Sequence, residues 1–443
     1  MLAIFIVVNS VIALFTVEGA ALKYGADVGS WYQPALGLLK YGGFVDPHDP
    51  TKYLTLRPPL YPALIALLLW AGGGALWSIV VVQLALLFST GLVARAITER
   101  LLQGYGTLVM ALVVFNPNAL GTAHLVQSDT LYAFLFTALF WCLVTFCRQL
   151  SWPSAIATGG ALGISLLARN PLQALLPLWP LVMTVLAMMA QGRQVWRRAL
   201  TMGIVATALG FAITTPWLFY LHRAGEGFGE TTDAQKYWYL RIQMVYLEHC
   251  RSGLPNDRAT ELARQERARR LEQIPGFARM SERQQTRVLI DDALNQMRHF
   301  SVRDYICALL PSWALMYGSP GVSNFSELFG AAQQDVLSLL RWNRYADYFG
   351  SISAISLLLT LSGFAYIIAI RILDLVGLIA MVRQRAWLPL TMMFGAMFYL
   401  TAIMLFAGTS RFRLPLDPML FIIAAYGVAE LRERWFSRAA RAS

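Results

Sequence analysis

The 443-residue sequence has little charge, few lysines and few cysteines. Only 14% of its residues are charged, against about 25% in soluble domains, while 57% are hydrophobic with glycine left out. A mean hydropathy of +0.52 excludes an ordinary soluble enzyme, and so apolar a chain is neither disordered nor fibrous. Four cysteines are too few for a disulfide scaffold. Cys142 and Cys147 lie in an apolar run and read as packing residues. Cys250 and Cys307 fall in a long polar stretch and can pair if it faces an oxidising compartment. Lysine is confined to Lys23, Lys40, Lys52 and Lys236; every other basic side chain is Arg apart from His. The net charge of +11 would suggest nucleic acid in a soluble protein. Here the arginines flank apolar runs, so topology explains them better and no nucleic-acid partner is expected. No internal repeat, low-complexity tract or separate soluble domain is visible. Met1–Leu22 carries one charge, Glu18, and lacks the basic start and cleavage site of a secretory signal, so it reads as a retained span.

Apolar runs are what the sequence has in abundance. At about 20 residues per span, about ten helices are expected: Met1–Leu22, Ala75–Ala94, Gly106–Leu120, Ser128–Cys147, Ser154–Ala168, Leu172–Ala190, Ala199–Tyr220, Ser351–Leu373, Trp387–Ala407 and Leu414–Leu431. Arg95, Arg100, Arg148, Arg193, Arg197, Arg198, Arg383, Arg385, Arg432, Arg434, Arg438 and Arg441 then share one side, which the positive-inside rule makes the cytoplasm. Both termini are cytoplasmic on this reading. The opposite side receives a first loop, 23–74, and a long loop, 222–350. All four lysines fall on it against the rule, though long loops translocate largely regardless of charge. Trp31–Lys40 reads as a short surface helix and Leu60–Trp70 as a re-entrant or interfacial one. Asp257–Gln273 and Ser281–Met297 read as Arg-rich helices separated by Pro275-Gly276. The fold class is all-α: a polytopic membrane protein with juxtamembrane helices on the outer face, in a single domain, 1–443.

Polar groups beside the spans collect on the outer side, and the span centres read as nearly free of charge. Asp27 follows the first span, Arg57 precedes Pro58-Pro59, and Asp129 opens the fourth span. Arg169 and Asn170 occupy a tight turn, and Arg411 and Arg413 precede the last span. Charge at a helix centre in the membrane costs about 2.5–3.5 kcal/mol, and less at the interface. Acids and arginines on one face therefore suit chemistry in which a carboxylate activates a nucleophile and arginines hold an anionic leaving group. The plainer account is that such residues mark span ends and reach lipid headgroups. Asp129 in Gln-Ser-Asp-Thr serves equally as a helix cap. The Arg-rich helices of the long loop read as solvated faces laced with Glu. His48, between Asp46 and Asp49, has no ligand-spaced partner among His124, His222, His249 and His299, so no metal site is expected.

Several short elements recur in order along the chain: Asp27, Tyr32, Ala35–Leu39 and Gly42-Gly43; Arg57-Pro-Pro-Leu-Tyr-Pro62; Asn116-Pro-Asn followed by Ser128-Asp-Thr-Leu-Tyr132; Gly163-Ile-Ser-Leu-Leu-Ala-Arg-Asn-Pro171; Thr215-Pro-Trp217; and Arg411-Phe-Arg-Leu-Pro-Leu-Asp-Pro418. Together they resemble the GT-C type integral-membrane glycosyltransferases, the superfamily of protein O-mannosyltransferases and lipid A aminoarabinose transferases. The resemblance implies a polyprenyl-phosphate sugar donor in the outer leaflet and a glycan, lipid or protein acceptor. It implies an outer-face site in the bacterial inner membrane. Asp27 maps onto the acid near the acceptor, Asp129 onto the second acid and Arg57 onto the phosphate-binding base, with Arg411, Arg413 and Arg169 as further phosphate ligands. Tyr32, Tyr61 and His48 are the candidate substrate contacts. The resemblance specifies no cofactor and is compatible with a divalent cation. Many relatives carry two adjacent acids after the first span; here Val28 follows Asp27, and Asp46 or Asp49 would have to supply the second. Acceptor recognition falls to the long loop, whose Tyr237, Trp238, Tyr239, Trp313, Trp342, Tyr345 and Tyr348 serve either as sugar-stacking groups or as interfacial anchors. The competing classes are an O-antigen polymerase or ligase, a lipid-linked sugar flippase and a membrane scaffold. A flippase predicts charge at mid-bilayer and broken helices.

Overall fold

The structure, a computed structural model, describes residues 1–16, 22, 27–226, 232–322, 325, 328, 329 and 354–442. Glu18, Lys23, Trp342, Tyr345, Tyr348 and the start of the expected eighth span lie outside the described residues. The helices are α1 (Leu2–Phe15), α2 (Val28–Tyr41), α3 (Leu60–Ala71), α4 (Trp77–Leu101), α5 (Gly106–Val114), α6 (Pro117–Ala123), α7 (Asp129–Gln149), α8 (Trp152–Ala168), α9 (Trp179–Gln191) and α10 (Trp196–Arg223). They continue with α11 (Asp233–Ser252), α12 (Asn256–Glu272), α13 (Glu282–Met297), α14 (Val302–Gly318), α15 (Ala354–Arg383), α16 (Trp387–Met404), α17 (Ser410–Arg413) and α18 (Asp417–Ala442). The protein is an all-α polytopic membrane protein.

Among the described residues, six helical segments are long and apolar enough to cross a membrane, and a seventh is the α5–α6 pair, bent by 51°. The bend falls where Pro117 follows Asn116. Proline lacks the N–H that would continue α5, and the Asn116 side chain accepts from the Asn118 N–H to start α6. Two of the expected spans, α1 and α8, are short at 14 and 17 residues. Helix α8 nevertheless runs the depth of the bundle, from Ser151 beside the end of α7 to Arg169 at the other end. Residues such as Phe398, Leu358, Ile372 and Leu375 face outward, as the lipid-facing side of a bundle requires.

The arginine-bearing ends converge. Arg148 donates to the Arg100 carbonyl, Gln191 to the Cys147 carbonyl, and Arg383 and Arg434 both bind Glu430. Helices α15 and α18 touch at glycine: a Cβ on Gly377 would fall 1.9 Å from the Ile423 carbonyl oxygen. Small residues let membrane helices approach this closely.

One expectation fails here. The eighth span continues past Leu373 to Arg383, so Arg371 and Asp374 lie within α15, and the span interiors are not nearly charge-free. The physical reason is local pairing: Arg371 Nη1 binds Asp374 Oδ2 at 2.5 Å across one helical turn. The helix carries a neutral pair and resumes its apolar run.

The segments within the two loops form helices as expected. Helix α2 lies against α3 through Trp31, Ala35, Tyr61 and Ile65. The loop between them is pinched by a bridge from Val45 to Tyr53. Helices α12 and α13 are separated at Gly276, whose φ of 74° suits glycine. Cys250 and Cys307 are joined in a disulfide that ties α11 to α14.

Candidate active site

The site forms where the ends of five helices meet on one face of the bundle. Asp27 is the residue before α2, but its side chain does not cap that helix. The Ser30 hydroxyl takes the Asp27 carbonyl instead, which leaves the carboxylate to arginines. Arg57 Nη2 binds one of its oxygens at 2.9 Å and Arg411 Nη1 binds the other at 2.9 Å. Arg411 Nε then binds Asp129 Oδ2 at 2.7 Å, and Arg169 Nη1 binds Asp129 Oδ1. The result is a continuous alternating chain, Arg57–Asp27–Arg411–Asp129–Arg169. Its three guanidiniums and two carboxylates leave one net positive charge.

Each member is set by its local sequence. Pro58 keeps Arg57 out of helical geometry, so its side chain turns back over α2. There Nε donates to Ser30 Oγ at 2.8 Å. The guanidinium lies between the rings of Trp31 and Trp238, 4.9 and 5.3 Å from their centres. Burial pushes the Arg57 guanidinium down to about 10, against the opposing pull of Asp27, so it is charged at neutral pH. At Arg411 burial also pulls downward, but Asp129 and Asp27 more than reverse it and the group ends above its ordinary value. Arg169 leaves α8 in an extended conformation and lies over the rings of Tyr132 and Phe412.

Asp129 is fully buried. Ser128 holds the cap position of α7 without a side-chain cap bond, and Asp129 gives its carboxylate to the two arginines. The helix-cap account of Asp129 is therefore replaced by an ion-pair role. Around it, Arg411 Nη2, Ser128 Oγ and Tyr132 OH are buried with no hydrogen-bond partner among the described residues.

Other expected residues are placed elsewhere. Arg413 is 1% exposed and turned inward. Its Nε binds Asp417 at 2.7 Å and its Nη1 donates to the carbonyls of Met316, Tyr317 and Ser319. Those bonds commit it to holding α14 against α18, and the structure does not bring it into the charge chain. Tyr61 is buried in the α2–α3 packing, with its hydroxyl on Gln83. Tyr32 packs partly buried in the same cluster. His48 sits on an exposed turn where its N–H donates to Asp46, and Asp49 caps Thr51 nearby. Neither acid joins Asp27. Among the described residues no three His, Cys, Asp or Glu side chains gather as a metal-ligand set.

The long loop contributes residues that sequence patterns did not assign. Gln235 Nε2 donates to the Leu56 carbonyl at 2.6 Å and its Oε1 accepts from Asn170. It thereby links the first loop, the α8 end and α11. The signal was present as the capping box Thr232-x-x-Gln235. Ser30, three residues after Asp27, had no comparable signal.

No family model and no curated protein matches the chain. Among solved structures it is similar to the crystal structure of ArnT from Cupriavidus metallidurans bound to undecaprenyl phosphate, at 16% identity and a TM-score of 0.42. It is also similar to the same protein in the apo state, at 16% and 0.39. Each match covers 96% of this chain and 76% of that one.

Proposed function

We propose that the protein is a glycosyltransferase that moves a sugar from a polyprenyl-phosphate donor to a glycan, lipid or protein acceptor at the outer face of the bacterial inner membrane. The observation that carries this is the alternating chain from Arg57 to Arg169, with its residual positive charge and the unpartnered Arg411 Nη2 at its centre. A buried cationic site with a free donor is suited to an anion. A departing phosphate held by guanidiniums needs no proton.

In this reading the acceptor gives its proton to Asp27 as its nucleophilic atom bonds to the anomeric carbon. The bond from that carbon to the phosphate oxygen breaks, and the electron pair leaves with the polyprenyl phosphate onto Arg57 and Arg411. Both Asp27 oxygens are engaged by those arginines. A phosphate that competes for them frees the carboxylate to act as base. Asp129, sealed from solvent, is a positioning residue that holds Arg411 and Arg169. The outer-face assignment draws on the Cys250–Cys307 disulfide, since disulfides persist in oxidising compartments, and on the arginines gathered at the other end of the bundle.

The test is to incubate purified protein with a panel of radiolabelled polyprenyl-phosphate sugars and follow hydrolysis or transfer. Turnover of one donor, lost in Arg57→Ala, is the expected result. No turnover with any donor, or equal turnover in the variant, overturns the proposal. The Arg371–Asp374 pair inside α15 favours a second reading, movement of a lipid-linked sugar across the bilayer. Proteoliposomes that flip a fluorescent polyprenyl-phosphate sugar without cleaving it would decide for that alternative.

A further inference from the structure

The long loop encloses a cavity of about 440 Å³ between α11, α12 and α13, within the size range of small-molecule sites. Its walls are partly apolar, with Met244, Val245, Leu289 and Phe300 among the lining residues. Its arginines fall into two groups. Arg251 and Arg270 are neutralised: Arg251 binds Glu248 and Glu266, and Arg270 binds Asp292 at 2.8 Å. Among the described residues Arg241 and Arg264 have no ion-pair partner, and Arg267 donates to the neutral Tyr237 hydroxyl at 2.7 Å. Arg264 and Arg267 stand one helical turn apart on α12, and Arg241 lies across the cavity on α11. Among the described residues, Glu261 is the one lining acid not engaged by an arginine; it accepts from Gln265 and is exposed.

We infer that this cavity binds a phosphate-bearing amphipathic molecule, its phosphate between Arg241, Arg264 and Arg267 and its apolar part against Met244 and Phe300. Three guanidiniums free of carboxylates form a clamp for a phosphate's oxygens. The apolar floor does not suit a small hydrophilic anion alone.

Position connects the cavity with the charge chain. Tyr237 lines the cavity, and the next residue, Trp238, covers Arg57. Consecutive residues on a helix point about 100° apart. The cavity and Arg57 therefore flank the same turn of α11, within roughly one helix diameter, 10–12 Å. A phosphorylated glycolipid held there would present its sugar hydroxyls toward Asp27. This acceptor role rests on the glycosyltransferase reading above; the anion site itself does not.

The test compares the wild type with Arg241→Gln/Arg264→Gln, in which both altered residues are exposed and outside the charge chain, so folding is retained. Binding is measured by calorimetry with inorganic phosphate, with glycerol phosphate, and with phosphatidylcholine nanodiscs with and without phosphatidic acid. The expected result is that phosphatidic acid binds more tightly than free phosphate. Affinity should fall about tenfold or more in the double variant, the weight of a charge-assisted hydrogen bond. Binding equal in the two proteins, or no phosphate-dependent binding, overturns the site. Free phosphate binding as tightly as the lipid overturns the amphipathic ligand. In the transfer assay, donor hydrolysis without acceptor should be unchanged while the acceptor KM rises. If no donor is turned over at all, the glycosyltransferase reading fails, and the binding arm still decides the cavity.

Discussion

Arg411 and Asp129 stand 282 residues apart in the sequence and 2.7 Å apart in space. The contact joins the start of α7 to the segment before α18, and the second arm of Arg411 reaches Asp27. Any anion entering this face meets arginines already aligned by carboxylates, so their orientation is set before a ligand arrives.

Asp27→Asn retains shape and hydrogen bonding but cannot take a proton. Transfer should fall by about 10²–10⁴, the usual worth of a positioned base. Donor affinity should not weaken, because the variant removes a negative charge that competes for Arg57 and Arg411. Single-turnover kinetics with parallel donor binding measures both. Unchanged transfer would remove Asp27 from the chemistry.

Asp129→Asn should behave differently. A cap residue would tolerate Asn at little cost. Here the change leaves Arg169 and Arg411 without their shared counter-charge in a buried site, a loss of about 3–5 kcal/mol. Thermal unfolding in detergent should show a clear drop. A wild-type midpoint would restore the cap account.

Arg57→Ala should weaken donor binding by about 1.5–3 kcal/mol, the weight of a hydrogen bond to a charged group. Arg57→Lys keeps the charge but loses the planar fork that meets Ser30 and Asp27 together, so it should recover only part. Equilibrium binding of polyprenyl phosphate to the three proteins reads the series.

Topology is checked by reporter fusions. Those after Arg100, Arg193 and Arg385 should report cytoplasm, and those at Lys52 and Gly253 the outside. A cytoplasmic signal at Gly253 would place the long loop in a reducing compartment.

The disulfide makes a matching prediction. Thiol labelling of the denatured, unreduced protein should find Cys142 and Cys147 only, with Cys250 and Cys307 added after reduction. Cys250→Ser should destabilise the α11–α14 unit by about 2–4 kcal/mol.

Sequence alone determined the membrane class and most helices, because each follows from local rules. Apolar run length sets a span, arginine position orients it, and Pro275-Gly276 ends a helix wherever it sits. Asp27, Arg57, Asp129, Arg169 and Arg411 were legible as candidates because charge beside a span is costly and therefore conspicuous. Which of them meet was decided by tertiary structure. Arg411 and Arg413 are two residues apart with the same chemistry, yet one faces the charge chain and the other is committed to Asp417 and three carbonyls. That Arg371 meets Asp374 one turn along α15 was likewise settled by the structure, because the sequence reading ended that span at Leu373. Pairing energies depend on distances between segments hundreds of residues apart, and those distances exist only once the helices have packed.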